Sequence, residues 1–154
     1  MSTLVFDGEA HQIALVGKDG KTIAHWIAYN NVDRHATLTH VRNGTYMVLD
    51  RNAPRRHQAK ANGPYGLHGI IRFNVPGHPG IGVHSGRANA RSEPGPTHAT
   101  MGCIRTTDAA MEAIVTLMKT DPLDTIDVTN HSAGVARHAA VRNHFRTLHD
   151  PCRI

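Results

Sequence analysis

A chain of 154 residues with 40% hydrophobic and 19% charged residues is long enough for one globular domain with its own core. No apolar run approaches the roughly 20 residues that span a bilayer, and the first residues lack the basic and apolar stretches of a signal peptide, so we expect no integral membrane segment and no cleaved leader. The net charge of +5 favours anionic partners, but no nucleic-acid motif accompanies it, so we expect no nucleic acid among them.

The first half of the chain predicts a β-rich fold that begins as a meander. Its first three apolar runs are separated by Asp-Gly pairs, and Asp-Gly between β-like runs is a strong hairpin signal. The strands predicted in this half are residues 4–6, 12–16, 22–28, 45–49, 69–75 and 80–84.

A loop, a helix and a last strand are predicted next. Residues 86–99 contain two prolines and show no periodicity, so we predict a long loop that is either a substrate lid or a plain connection. A helix is predicted at residues 108–119, with Thr106 or Thr107 as its N-cap. Its apolar face consists of Met111, Ile114, Val115 and Met118. Residues 125–129 alternate like a strand, and residues 134–148 predict a second, basic amphipathic helix.

The residues most suggestive of chemistry are Cys103, in a Gly-Cys pair, and His84, nineteen residues before it. A cysteine attacks as its thiolate, and because an unassisted thiol is mostly protonated at neutral pH, a base must lie within reach. The chain's other cysteine is Cys152. Pairing between the two would tie this site to the carboxyl end, so we interpret Cys103 as catalytic and not structural.

Several histidines in the central third raise the question of a metal site. They form no His-x-x-x-His pair, no Cys-x-x-Cys accompanies them, and a zinc ion would compete for the thiolate. We therefore expect no metal ion at these histidines, which are His68, His78, His84 and His98.

A longer motif surrounds the Cys–His pair. His84 begins the run His-Ser-Gly, and after a gap of fifteen residues the sequence reads Thr-Met-Gly-Cys-Ile-Arg at residues 100–105. This arrangement resembles the L,D-transpeptidase (YkuD) catalytic domain, whose motif is a histidine, a similar gap, then Ser/Thr-His-Gly-Cys, an apolar residue and Asn or Arg. The resemblance implies a β-rich α+β fold, a mixed β-sandwich or barrel with one helix after the catalytic cysteine. We accordingly divide the chain into a catalytic domain, residues 1–130, and a basic helical extension, residues 131–154, packed on it.

The resemblance also implies residue roles. Cys103 matches the acyl-accepting nucleophile, His84 the general base, Ser85 the residue beside that base and Gly102 the turn glycine. Backbone N–H groups around Gly102 and Cys103 are suited to stabilise an oxyanion. Arg105 is suited to a substrate carboxylate through its bidentate fork. The remaining candidates for substrate contact are Thr100, Met101, Tyr65, Arg72 and His98.

The chain departs from the family at Met101, which stands where the family has a second histidine and cannot transfer a proton. Three interpretations remain open. His84 alone is the base, or His98 swings in from the loop, or the domain binds without catalysing. The intact Cys103 and its upstream histidine argue against the third.

The family acts on peptidoglycan stem peptides. The resemblance implies that Cys103 attacks the carbonyl of the third residue and releases the terminal D-Ala. The acyl group then passes to an amine, in transpeptidation or D-amino-acid exchange, or to water, in L,D-carboxypeptidase activity. The sequence does not select the acceptor, and the chemistry requires no cofactor.

The implied site of action is the periplasm or cell wall. Because no leader is visible, two explanations stay open: the sequence is trimmed from a longer precursor, or the protein is exported by a specialised secretion system. We favour the second, as in type VI antibacterial effectors of this family, in which case a cognate immunity protein is an expected partner. Two other functions stay open. One is a papain-like or NlpC/P60 peptidase that pairs Cys103 with His131, and the other is a non-catalytic wall-binding module.

Overall fold

The described residues fold into strands that belong to one sheet. The computed structural model describes residues 1–37, 39–56 and 59–131. The strands and the α-helix in these ranges are β1 (Ser2–Asp7), β2 (Gln12–Val16), β3 (Thr22–Tyr29), β4 (Gly44–Met47), β5 (Ile71–Arg72), β6 (Gly82–His84), β7 (Ile104–Thr106), α1 (Asp108–Met118) and β8 (Leu123–Thr129). One turn of 3-10 helix, Gly95–Thr97, lies in the predicted loop at residues 86–99. The strand order is β4-β8-β1-β2-β3-β7-β6-β5, and the sheet curls into a half-barrel, which confirms the predicted β-rich α+β fold. The second predicted helix, residues 134–148, lies outside the described residues.

The amino-terminal meander forms as the Asp-Gly turns predict. β1 and β2 pair antiparallel, and β2 pairs with β3 in the same sense. Leu4 lies opposite Leu15 and Phe6 opposite Ile13, and all four side chains are buried. Because side chains alternate between the two faces of a strand, this register places one whole face in the core.

The helix ends and begins close to its predicted bounds. The side chain of Thr107 accepts a hydrogen bond from the Ala110 N–H, which confirms one of the two predicted N-caps. Met111, Ile114 and Met118 are buried, so the predicted apolar face packs on the sheet. The chain then returns as β8, which pairs parallel with β1 and antiparallel with β4.

β7 is a strand that the sequence did not predict. It is three residues long, begins directly after Cys103, and lies between β3 and β6. Its pairing with β6 is parallel, with Val83 opposite Ile104 and His84 opposite Arg105. This pairing determines where the histidine and cysteine meet.

A second apolar cluster lies beside the main core. It consists of Val32, Ala36, Ala99 and Met101, and it joins the segment after β3 to the segment before Cys103. A parallel bridge between Val32 and Thr100 runs alongside it. No helix in the described residues has the length and apolar character needed to cross a membrane.

Candidate active site

The parallel pairing of β6 and β7 brings His84 and Cys103 together. Arg105 is opposite His84, and Cys103, which directly precedes β7, lies two residues before Arg105. Strand spacing and rise put such a diagonal pair about 8 Å apart at their Cα atoms, within reach of an imidazole and a thiol. The backbone N–H of Gly82 donates to the Cys103 sulfur at 3.2 Å, which confirms that this sulfur points across to β6.

His84 is held as a neutral, oriented imidazole. Its Nδ1 lies 2.6 Å from the carbonyl oxygen of Ser85, and because a carbonyl only accepts, Nδ1 carries the proton. Its Nε2 is buried and has no hydrogen-bond partner among the described residues. Burial, reinforced by the nearby Arg105 guanidinium, lowers the pKa of His84 to about 3. A bare Nε2 lone pair is therefore present throughout the neutral range.

The sulfur of Cys103 lies in a closed environment. The residue is fully buried, and its Sγ is 3.7 Å from the Gly80 carbonyl oxygen. Cys103 is disulfide-bonded in this structure, and a disulfide sulfur becomes a nucleophile only after reduction. The chain's other cysteine, Cys152, lies outside the described residues. Once the thiol is free, the Gly82 N–H that points at Sγ is suited to stabilise a thiolate.

The turn before Cys103 depends on Gly102 and Thr100. Gly102 has a φ of 147°, which side-chain-bearing residues rarely adopt. Its N–H donates to Thr100 Oγ1 at 3.1 Å, and the same hydroxyl donates to the Cys103 carbonyl at 2.7 Å. Thr100, expected to contact substrate, is buried and shapes this turn. The Gly102 N–H, expected to stabilise an oxyanion, is already engaged by that hydroxyl.

Ser85 contributes in two different ways. Its carbonyl orients His84, whereas its hydroxyl donates to Asp108 at the start of α1. Gly66 approaches this pair so closely that an added Cβ would lie 2.0 Å from Ser85 Oγ. The site is thus built against the helix N-terminus, where a carboxylate is favourable.

Arg105 does not have the role expected of it. It is fully buried, and its guanidinium donates to the carbonyls of His98 at 2.7 Å, Ala99 at 3.2 Å and Pro64 at 3.0 Å. Burial lowers its pKa to about 9. The side chain therefore fastens the loop before Cys103 to the segment around Pro64, and its burial leaves no exposed donor for a substrate carboxylate.

Three other candidates also have partners within the protein. Tyr65 is 1% exposed and packs on the His84 ring with centroids 5.1 Å apart, so it supports the base and does not line an open cleft. Arg72 forms a bidentate ion pair with Asp50, at 2.8 and 2.9 Å, on the edge strand β5. His98 is held by its own loop, with Nδ1 3.2 Å from the carbonyls of Ser92 and Glu93.

Met101 has a packing role. It is 2% exposed and belongs to the second apolar cluster, with Val32, Ala36 and Ala99. The position where the family has histidine thus points away from water into a hydrophobic contact. The interpretation that His84 serves as base without a second histidine stays a prediction.

His131 does not pair with Cys103. It follows β8, and β1, β2 and β3 lie between β8 and β7 in the sheet. Its Nδ1 donates to the Val41 carbonyl at 2.7 Å, and its ring meets the edges of Phe6 and His40. The described contacts of His131 therefore give no support to the papain-like or NlpC/P60 alternative.

Sequence reasoning missed Asn30, which directly follows β3. Its side-chain amide donates to the carbonyls of both Gly102 and Cys103, each at 2.9 Å. An Asn-Asn pair at the end of a predicted strand was the available signal, because asparagine there often bonds to backbone groups. In the described parts of the chain, no three side chains of His, Cys, Asp or Glu lie together as a metal site requires.

A histidine at the end of β6 and a cysteine directly before the neighbouring parallel strand β7 are the residue types that thiol-based acyl transfer uses. The family model of the L,D-transpeptidase catalytic domain (YkuD) matches residues 2–128. The chain belongs to this family. Comparison with curated proteins gives no match.

Solved structures of similar fold include three bacterial L,D-transpeptidases. The protein from Stackebrandtia nassauensis has a TM-score of 0.57 and 18% identity, covering 87% of this chain and 58% of its own. That from Xylanimonas cellulosilytica has a TM-score of 0.51 and 16% identity, covering 82% and 59%. That from Mycobacterium smegmatis has a TM-score of 0.50 and 20% identity, covering 83% and 58%. At these identities the likeness shows the fold, and this chain spans less than two thirds of each neighbour's length.

Proposed function

We propose that this protein is an L,D-transpeptidase acting on the tetrapeptide stems of peptidoglycan. The observation that carries the proposal is the buried His84, which the Ser85 carbonyl holds with a bare Nε2 on the same sheet face as Cys103. Membership of the family supports peptidoglycan as the substrate. Ser85 contributes its backbone carbonyl, which orients His84, and Gly102 contributes the backbone conformation of the turn before Cys103.

The reaction begins once a thiol reductant has cleaved the Cys103 disulfide by thiol–disulfide exchange and left Cys103 as a free thiol. Its thiol proton passes to Nε2 of His84, and Sγ attacks the carbonyl carbon of the third stem residue. The C–N bond to D-Ala then breaks, and the departing amine takes the proton back from His84. An amine or a water next attacks the thioester and gives its proton to the same Nε2, the S–C bond breaks, and the proton passes from Nε2 back to Sγ to restore the thiol. Transfer to the amine is transpeptidation, and transfer to water is carboxypeptidase activity.

The test uses the reduced protein with a disaccharide tetrapeptide containing diaminopimelate, with and without an added D-amino acid. Mass spectrometry of the products reports D-Ala loss, exchange and cross-linking. We expect Cys103→Ala to abolish all products and His84→Ala to reduce the rate by about 10²- to 10⁴-fold. His78→Ala, at an exposed histidine, is the matched control and should retain the rate. No product from the wild type would leave the wall-binding module as the better description.

Delivery as an antibacterial effector is the finer part of the proposal. The net charge of +5 favours approach to anionic cell-wall polymers. Expression directed to the periplasm of a susceptible bacterium should cause lysis, whereas cytoplasmic expression of the same chain should not. Equal growth in both cases, with Cys103→Ala as the inactive reference, would contradict it. If the wild type causes lysis, the purified protein can be used in a pull-down assay to search for an immunity protein.

A further inference from the structure

Asn30 lies behind the nucleophile turn and bonds to it twice. The residue is 2% exposed, and its Nδ2 donates to the carbonyl oxygens of Gly102 and Cys103 at 2.9 Å each. An asparagine amide has two donor hydrogens, so both are used on adjacent residues of one turn. Seventy-two residues of sequence separate Asn30 from Gly102, so this contact exists only in the folded state.

The direction of the Asn30 amide is fixed by a third bond. Its Oδ1 accepts from the Val41 N–H at 2.6 Å, and an N–H cannot face the amide nitrogen in its place. Val41 is itself anchored, because its carbonyl accepts from Nδ1 of His131. The donors of Asn30 therefore point at the turn and cannot rotate away without breaking the bond to Val41.

Holding the Gly102 carbonyl also sets the direction of the Cys103 N–H. The two groups belong to one planar trans peptide unit, in which C=O and N–H point in opposite directions. With the carbonyl bound to Asn30, the Cys103 N–H points to the opposite side of the turn. A backbone N–H of the nucleophile residue is a common donor to the oxyanion of acyl transfer.

We propose that Asn30 is a positioning residue, which acts through the Gly102–Cys103 peptide to aim the Cys103 N–H at the oxyanion formed during acylation. The inference deepens the proposed function and rests on it for the identity of the natural acyl donor. The geometry of the turn, in contrast, is independent of the proposed function, because it follows from the hydrogen bonds of Asn30.

The experiment compares two reagents that react with the same sulfur. p-Nitrophenyl acetate acylates Cys103 through a tetrahedral oxyanion: the S–C bond forms, the ester C–O bond breaks, and p-nitrophenolate leaves. Iodoacetamide alkylates the same sulfur by displacement of iodide, without an oxyanion. All variants carry Cys152→Ser, so that Cys103 is the single thiol, and are assayed after reduction with melting temperatures recorded.

For Asn30→Asp, which keeps the side-chain size but removes the donors, we expect ester acylation to slow by about 10²-fold. Both rates are compared on their high-pH plateau, where the thiol is fully ionised in each variant. Alkylation should there stay within about threefold of the reference, because displacement of iodide forms no oxyanion. Asn30→Ser, which is smaller and uncharged, should show the same selective loss if the aspartate variant is unstable. Asn74→Asp, at an exposed asparagine, is the control and should alter neither rate.

Two results would overturn the inference. One is an equal loss of the acylation and alkylation rates, which would indicate that the substitution has disordered the turn as a whole. The other is unchanged ester acylation in a folded Asn30 variant. Failure of the proposed function has a different signature, since the parent protein would then acylate with the ester but leave the tetrapeptide intact. A parent that does not react with the ester overturns both.

Discussion

The carbonyl oxygen of Ser85 accepts the Nδ1 proton of His84 at 2.6 Å. The base is thus oriented by the backbone of its own neighbour and not by a carboxylate side chain. A carboxylate would stabilise the protonated imidazole, whereas a neutral carbonyl fixes the tautomer with less effect on basicity. The arrangement suits a histidine that accepts a proton briefly and returns it.

Ser85→Ala tests this division of labour between main chain and side chain. The carbonyl remains, so we expect kcat to stay within a few-fold of wild type. The Asp108 carboxylate loses its hydroxyl donor, and the free energy of unfolding should fall by about 1.5–3 kcal/mol. Turnover of the tetrapeptide and urea unfolding are the two measurements. A large loss of kcat in a folded variant would show that the hydroxyl itself takes part.

Stability should depend on pH in a window set by buried histidines. Burial lowers the pKa of His84 to about 3 and that of His131 to about 4, against about 6.5 in the unfolded chain. The unfolded state therefore binds more protons between these values, and the free energy of unfolding should fall as the pH drops from about 6.5 towards 3. Urea unfolding from pH 7.5 to 3.5 measures it. His131→Asn should remove its share of the slope, and an unchanged slope would contradict the assignment.

Gly66→Ala and Gly77→Ala form a matched pair. Both glycines have left-handed φ, 73° and 78°, so an alanine pays the same backbone strain at each. A Cβ at Gly66 would lie 2.0 Å from Ser85 Oγ, whereas at Gly77 nothing lies within 4 Å. We expect Gly66→Ala to be the more destabilising by about 1–3 kcal/mol, and to reduce activity as well. Equal melting temperatures would mean that the contact is relieved at little cost.

Met101→His restores the residue that the family motif has at this position. Because Met101 is packed among Val32, Ala36 and Ala99, an imidazole there would be buried without a partner. We expect a lower melting temperature and no gain in kcat. Met101→Leu, which roughly conserves volume, should cost less than about 1.5 kcal/mol. An increase in kcat with Met101→His would show that the second histidine is useful to this chain after all.

Local patterns carried most of the fold. Asp-Gly turns and alternation located β1, β2 and β3, and the N-cap and apolar spacing located α1. Motif spacing singled out Cys103 and His84. Their separation of nineteen residues is enough for the chain to leave β6, cross over and return as β7 parallel to it.

What sequence did not reveal depends on contacts between distant segments. β7 has only three residues, too few for a period, and exists because β3 and β6 flank it. The partners of Arg105 are backbone carbonyls, which carry no signature in side-chain type. Arginine was therefore assigned to a substrate carboxylate on chemistry alone, and the structure gives it partners within the protein.

The parallel pairing of β1 with β8 makes folding a late event during synthesis. Leu4 of β1 pairs with Ile126 of β8, so the edge of β1 that faces β8 stays unpaired until nearly the whole described chain has been synthesised. Until then β1 is an open edge, which is prone to pair with other chains. Contacts of such sequence separation also slow folding, because the loop between them must close first. A nascent chain that stalls before residue 123 would thus be a substrate for chaperones, not a smaller folded domain.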